Sequence, residues 1–305
     1  MKEKDLFLRA FPAALRRLLE TAVEEFSCLQ EVRLRVGQPV FLTYDNREWY
    51  LGQDGRRRRE AAQSFRMTQE LLREMLSFLS NYSVYAVEQE LRQGFLTMPG
   101  GHRVGICGKL VTENGQARTL REVSSMNVRV AHSHPGCADA VLRRLPLLSR
   151  PGNVLLVSPP GCGKTTLLRD LIRQLSAGGY TVGVVDERSE IAACYQGVPG
   201  QELGPRTDVL DATPKAVGMR MLLRSMAPDY IAVDEIGGEE ELHELWTALY
   251  CGCHLIATCH AADRAELLGK PGLSELLKKC CFQGVVFLSR SKGAGTIEEV
   301  EWNAT

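Results

Sequence analysis

Neither sign of charge is in excess in this chain: 37 lysines and arginines oppose 37 aspartates and glutamates over 305 residues. A balanced sum removes the case for a surface that attracts nucleic acid or anionic lipid as a whole, so partners must be argued from local sites. Long apolar runs are missing as well. Nowhere do about 18 apolar residues follow one another, the length a bilayer-spanning helix needs, and any membrane role is expected to be peripheral. The first twenty residues lack the unbroken apolar core of a secretory signal, because Asp5, Arg9, Arg16 and Arg17 interrupt it. Export is therefore not expected, and a reducing cytoplasm is. Ten cysteines are present, but no two Cys-x-x-Cys segments are. The group Cys251, Cys253, Cys259, His260, Cys280 and Cys281 is accordingly read as thiols of a reduced protein rather than as a structural metal site. What remains is globular composition, 44% apolar and 24% charged, in a length that suits two domains of about 150 residues each.

In the first half, Leu15, Leu18, Leu19, Val23 and Phe26 recur at helical spacing after Pro12. Glu31 to Val36 alternates instead, with Val32, Leu34 and Val36 on one face and Arg33 and Arg35 on the other. Together with short apolar runs at 40–44 and 49–51 it predicts a small antiparallel sheet. Asp54-Gly55 signals a turn, and Arg56 to Arg59 read as its solvated tip. Thr68 is placed to cap a helix through Leu71, Leu72, Met75, Leu76 and Leu79, with a shorter helix expected over 82–91. Gly94 to Gly108 reads as a hairpin that turns at Pro99-Gly100-Gly101, so that His102 and Arg103 open the return strand. Residues 121–131 suggest a further strand. The loop at 132–136 sets the boundary near residue 135, with an N-terminal α+β domain over 1–135 and a second domain over 136–305.

The second domain carries the chemistry. Asn153 to Val157 is a short apolar run suited to a buried parallel strand, and a helix is expected from about Lys164 to Leu175. Between them lie Ser158, Pro159, Pro160, Gly161, Cys162, Gly163, Lys164, Thr165 and Thr166, a P-loop in which Ser158 stands where the first glycine is usual. Glycines let backbone N–H groups turn inward around phosphate oxygens, and the helix N-terminus adds its positive dipole end. Lys164 is expected at the β- and γ-phosphates, and the Thr165 hydroxyl on Mg²⁺. Asp229 to Glu235 is an apolar strand that ends in two acids. Asp234 is expected to hold the same Mg²⁺ through water, and Glu235 to orient or deprotonate the attacking water. A third strand, 181–185, runs into Asp186-Glu187, which makes Glu187 a second candidate for positioning water, since ligands gather at the carboxyl ends of parallel strands. His254 to His260 is a fourth, ending in Thr258 and His260 as candidate γ-phosphate sensors. No Asn-Lys-x-Asp segment is present to read guanine, so ATP with Mg²⁺ is the expected pair.

Taken together, Pro159-Pro-Gly-Cys-Gly-Lys-Thr-Thr-Leu-Leu-Arg169, Val185-Asp-Glu-Arg-Ser-Glu-Ile191, Arg206-Thr-Asp-Val-Leu-Asp211, Arg224-Ser-Met-Ala-Pro-Asp229, Val233-Asp-Glu-Ile-Gly237 and Ala257-Thr-Cys-His-Ala261 resemble the stage III sporulation protein AA family. Earlier segments, at 31–37, 100–105 and 124–129, extend the resemblance over most of the chain. It implies an α/β fold, with a RecA-like P-loop NTPase core behind a smaller α+β N-terminal domain. It also implies kinship with type II and type IV secretion ATPases, hydrolysis of ATP to ADP and phosphate, and a homo-oligomer that forms a hexameric ring. The implied partners are membrane proteins of a secretion-like channel that acts in endospore formation. The protein would sit in the cytoplasm on the mother-cell side, held peripherally at the inner face of that complex, with no stable nucleic-acid partner. Ring ATPases commonly complete each site with an arginine from the next subunit, which meets the charge of the transferring phosphoryl group. Arg103 and Arg129 are the nominees, with Arg220 and Arg224 as alternatives. Two other readings stay open: a nucleic-acid-dependent RecA-like motor, and a nucleotide-gated scaffold with negligible hydrolysis.

Overall fold

The structure, a computed structural model, describes residues 3–81, 87–113, 116–270, 272–279 and 281–303. Its contacts fall into two compact units, 1–132 and 133–305.

The first unit is a seven-stranded antiparallel sheet with helices. Its strands are β1 (Leu29–Arg35), β2 (Phe41–Tyr44), β3 (Arg47–Leu51), β4 (Arg57–Arg58), β5 (Phe95–Met98), β6 (His102–Glu113) and β7 (Gln116–Arg129). They are ordered β4-β3-β2-β1-β7-β6-β5. In β1 the alternation decides the register: Val32 and Leu34 are buried in the core, whereas Arg33 and Arg35 lie on the opposite face. A one-residue slip would reverse all four, which is why such a strand pairs in only one way. The core is completed by α1 (Glu3–Leu8), α2 (Ala13–Ala22), α3 (Gln69–Leu79) and α4 (Glu88–Gln93). Thr68 caps α3 by accepting from the Leu71 N–H at 3.3 Å. Of the short helix expected over 82–91, residues 82–86 lie outside the described residues, and α4 begins at Glu88.

Of the arginine run after Asp54-Gly55, expected as a solvated tip, Arg56 and Arg59 are exposed, whereas Arg57 and Arg58 are half-buried. Arg57 lies 4.0 Å over the Tyr44 ring and donates to the Ala22 carbonyl, and Arg59 lies 3.7 Å over the Trp49 ring. A guanidinium is weakly hydrated and planar, so an aromatic face competes well with water for it.

The second unit is a seven-stranded sheet of β8 (Val154–Val157), β9 (Val182–Asp186), β10 (Thr207–Asp211), β11 (Tyr230–Val233), β12 (His254–Cys259), β13 (Gly284–Ser289) and β14 (Thr296–Trp302). The order is β10-β9-β11-β12-β8-β13-β14, parallel except for β14. Strands β8, β9 and β11 are buried along their whole length, the pattern of a sheet covered on both faces. Val154 and Leu156 join the core formed with α6 (Lys164–Ala177), while Leu155 and Val157 join the core of α7 (Lys215–Ser225) and α8 (Glu239–Tyr250). The helix α5 (Asp139–Leu142) precedes β8, and α9 (Arg264–Gly269) and α10 (Leu273–Lys278) separate β12 from β13. Strand order has a consequence for chemistry. β12 lies between the P-loop strand β8 and the acid-bearing strand β11, so the carboxyl end of β12 opens between the two.

Candidate active site

Two glycines shape the P-loop, Gly161 at φ 71° and Gly163 at φ 90°, both in the left-handed region that a Cβ disfavours. Gly163 also has no room for one, because an added Cβ would lie 3.1 Å from the Gly295 nitrogen. Ser158, where a first glycine is usual, is not among the residues with positive φ. Its hydroxyl donates to the Pro159 carbonyl at 2.8 Å and accepts from Lys164 Nζ at 3.1 Å, so serine supplies a contact that glycine could not.

Lys164 opens α6 with its side chain buried. Nζ donates to the Ser158 carbonyl at 2.8 Å and the Pro159 carbonyl at 3.2 Å, and lies 2.9 Å from His260 Nδ1. Burial lowers its pKa, against the pull of Asp234 and Glu235. An ammonium can only donate, so Nδ1 of His260 accepts and Nε2 carries the proton. That Nε2 lies 2.7 Å from Glu235 Oε1.

A second chain of contacts runs beside the first. Thr165 Oγ1 donates to Asp234 Oδ2 at 2.7 Å, and the Thr258 hydroxyl donates to Asp234 Oδ1. Thr258 in turn accepts from the Glu235 backbone N–H at 2.8 Å. Glu235 itself sits at φ 53°, a conformation that costs a non-glycine residue of order 1 kcal/mol and persists only where its surroundings impose it. Here they do. Besides Thr258 and His260, Arg188 pairs with its Oε2 at 3.1 Å and Lys215 donates to its carbonyl at 2.9 Å. Burial works to raise the Glu235 carboxyl, but the His260 hydrogen bond, with the charges of Arg188 and Lys215, outweighs it and holds the group below the usual carboxylate range.

Lys215, at the start of α7, is the hub that sequence reasoning missed. It lies 3.2 Å from Glu187 Oε2 and 3.3 Å from Glu241 Oε1, and Glu241 accepts the Gly237 and Gly238 N–H groups through its other oxygen. A signal was present: a lysine in the first turn of a helix opposes the macrodipole and so wants a specific reason. Glu187 thus reaches the site through a lysine, and it shares one small cleft with Asp186, Arg188, Lys215, Asp234 and Glu235. Asp186 is buried and accepts the N–H groups of Glu190, Ile191 and Ala192 at 2.8, 3.0 and 2.8 Å. Burial nonetheless raises its pKa. Arg169 of α6 bonds the Glu190 and Ile191 carbonyls. The loop after β9, which sets Glu187, is thereby fixed through its backbone.

Thr165 and Asp234 fit a magnesium ion of the P-loop kind. A hydroxyl and a carboxylate converge within 2.7 Å, and such an ion takes most of its other ligands from phosphate and water rather than from a protein cage. Among the described residues, no group of three or more His, Cys, Asp or Glu side chains is set to hold a metal. The arginine nominees are distributed differently. Arg103 and Arg129 are neighbours in the first unit, paired in register across β6 and β7. The Arg103 guanidinium lies 3.7 Å over the Phe95 ring, and Arg129 lies 4.0 Å from Glu31. Arg220 pairs with the buried Glu244 at 2.8 Å.

Comparison with known proteins follows the same lines. The Stage III sporulation protein AA of Bacillus subtilis (strain 168) is 40% identical over 297 residues, 95% of this chain and 92% of that protein. Among solved structures, the Legionella pneumophila ATPase DotB matches with a TM-score of 0.57 at 16% identity, covering 90% of this chain and 75% of that one. The pilus retraction motor PilT, solved with bound ADP, matches with a TM-score of 0.58 at 16% identity, covering 89% and 76%. Identity this low speaks to fold alone, and the fold is the RecA-like P-loop core with an N-terminal domain. The sequence model for "Sporulation stage III, protein AA" matches residues 1–303. Because that match takes in both units and not the P-loop region alone, the chain belongs to the sporulation stage III, protein AA family.

Proposed function

We propose that the chain is an ATPase that works as a homo-oligomer, a hexameric ring, and energises a membrane-associated, secretion-like channel during endospore formation. The observation that carries this reading is the convergence of Lys164, His260 and Glu235 with Thr165, Asp234 and Thr258 through bonds of hydrogen-bond length. Residues 158–166 cradle the phosphates, with Lys164 at the β- and γ-positions. Thr165 and Asp234 would hold Mg²⁺, which would neutralise charge on the phosphate oxygens. Glu235, kept ionised and fixed at every polar group, accepts a proton from the attacking water or orients it. Glu187 is the second acid, set by Lys215, and His260 reads the γ-phosphate. Arg103 and Arg129 serve the site of a neighbouring subunit. No helix among the described residues is long and apolar enough to cross a membrane; attachment at the cytoplasmic, mother-cell face is taken as peripheral. Balanced charge gives no support to a stable nucleic-acid partner.

The test is ATP turnover against protein concentration, with light scattering on the same samples. Turnover should rise with assembly, disappear in Lys164→Ala and Glu235→Gln, and leave Glu235→Gln able to bind ATP. A wild-type protein no more active than Glu235→Gln at every assembly state would exclude the motor and leave a nucleotide-gated scaffold.

A further inference from the structure

We propose that Arg290 is a phosphate contact supplied to the nucleotide site by the same chain, carried on the turn between β13 and β14. The inference rests on the P-loop reading above and adds to it a residue outside every motif of that loop.

The placement follows from strand pairing. β13 runs parallel to β8, with Phe287 opposite Val157, so both strands end at the same edge of the sheet. Beyond Val157 the chain becomes the P-loop. Beyond Phe287 it passes through Ser289 and Arg290 into a turn, Ser291-Lys-Gly-Ala-Gly295, before β14 returns.

That turn is seated on the P-loop. The Gly295 N–H donates to the Cys162 carbonyl at 2.9 Å. Gly295 also approaches Gly163 so closely that a Cβ added there would lie 3.1 Å from its nitrogen and 3.3 Å from its Cα. Two glycines, one from each loop, permit this approach. On the same side, Arg290 Nη1 lies 3.7 Å from where a Cβ on Gly161 would be. The guanidinium therefore lies beside Gly161 of the loop read as the phosphate cradle.

Its charge is uncommitted. Arg290 is exposed, and its side chain has no ion-pair or hydrogen-bond partner among the described residues. Of the acids of the same hairpin, Glu298 accepts from the Ser289 and Ser291 hydroxyls and Glu301 pairs with Arg264. Other arginines of this unit do pair with carboxylates, Arg188 with Glu235, Arg220 with Glu244 and Arg264 with Glu301. A planar fork of N–H donors with no carboxylate to meet, beside a phosphate cradle, suits bidentate contact with phosphate oxygens. Because it comes from the same chain, its effect on nucleotide affinity does not require assembly.

The experiment is equilibrium titration of MgATP and MgADP into the dilute 305-residue chain, comparing wild type with Arg290→Ala, Arg290→Lys and Lys292→Ala. Arg290→Ala is expected to weaken MgATP about tenfold or more, the loss typical of one charge-assisted contact. Lys292→Ala, which removes an equal charge two residues away, should stay within about twofold. Arg290→Lys should fall between, since it keeps the charge without the fork, and it carries the test if the alanine variant does not fold. Unchanged MgATP affinity in both Arg290 variants would overturn the proposal, as would an equal loss in Lys292→Ala, which would mean general charge rather than contact. Failure of the wild type to bind either nucleotide would instead remove the P-loop reading itself.

Discussion

His260 Nε2 lies 2.7 Å from Glu235 Oε1, and the other nitrogen of the same ring lies 2.9 Å from Lys164 Nζ. One imidazole therefore joins the lysine of the phosphate loop to the acid proposed to handle water. Any change in the position of the lysine reaches the acid through a rigid ring.

Replacing His260 with alanine should lower ATP turnover by about 100-fold, at the low end of what a misplaced acid–base group costs. Affinity for ADP, which lacks the γ-phosphate that His260 is proposed to read, should change by less than about threefold, because Lys164 retains its other anchors in the loop. Steady-state kinetics beside equilibrium binding separates the two. Parallel losses in both would make His260 a binding residue and not a coupling one.

Thr258 is fully buried and serves two acids, donating to the Asp234 carboxylate and accepting the Glu235 N–H. Thr258→Val keeps the shape and removes both bonds. About 1–3 kcal/mol of stability should be lost, the cost of a buried polar group left unpaired. Denaturant titration measures this, and turnover should fall with it. A valine variant as stable and as active as wild type would show that Thr258 only fills space.

Lys215→Met should cost about 2 kcal/mol, since Glu187 and Glu241 would lose the cation between them, with the figure reduced because both acids are partly solvated. Turnover should drop at least tenfold while ATP still binds, because the Glu235 carbonyl loses its anchor. Wild-type turnover in a folded Lys215→Met protein would separate Glu187 and Lys215 from the reaction.

His102 makes the first unit sensitive to acid. It is buried against the edges of Phe7 and Phe26, and its Nδ1 accepts the Ala131 N–H at 3.0 Å. Burial, with a smaller push from the charge of His132, brings its pKa from 6.5 down to about 4. Between those values the unfolded chain binds a proton that the folded one refuses, so stability falls as the pH falls. The stabilisation is complete above the unfolded pKa and is lost toward the folded one, at most about 3 kcal/mol for a shift of this size. Unfolding at pH 7 and pH 4.5 should show a smaller difference in His102→Gln than in wild type. Equal pH dependence in the two proteins would refute the assignment.

Local chemistry was legible in the residues. Ser158 to Thr166 could be read as a phosphate loop because the cradle is built from consecutive backbone groups and the first turn of one helix. The strands around Val154, Val182 and Tyr230 were legible because a strand covered on both faces is apolar throughout. In the first unit the alternation of Glu31 to Val36 showed a strand. It did not show that β1 would pair with β7, where Arg33 lies opposite Asn127. The ring contacts of Arg57 and Arg59 were hidden for a related reason, since those aromatic rings come from other strands.

By itself, then, the sequence determined the strands and the loop proposed to bind phosphate, because the residues of each lie close together in the chain. Tertiary structure alone decided which side chains meet. Strand order is not chain order: β12 is inserted between β8 and β11, which places His260 between Lys164 and Glu235. Parallel pairing of β13 with β8 likewise sets Arg290 beside a loop more than a hundred residues earlier in the chain. Backbone hydrogen bonding between strands carries no mark in the residues that it brings together, so such meetings follow from the folded sheet and from nothing shorter.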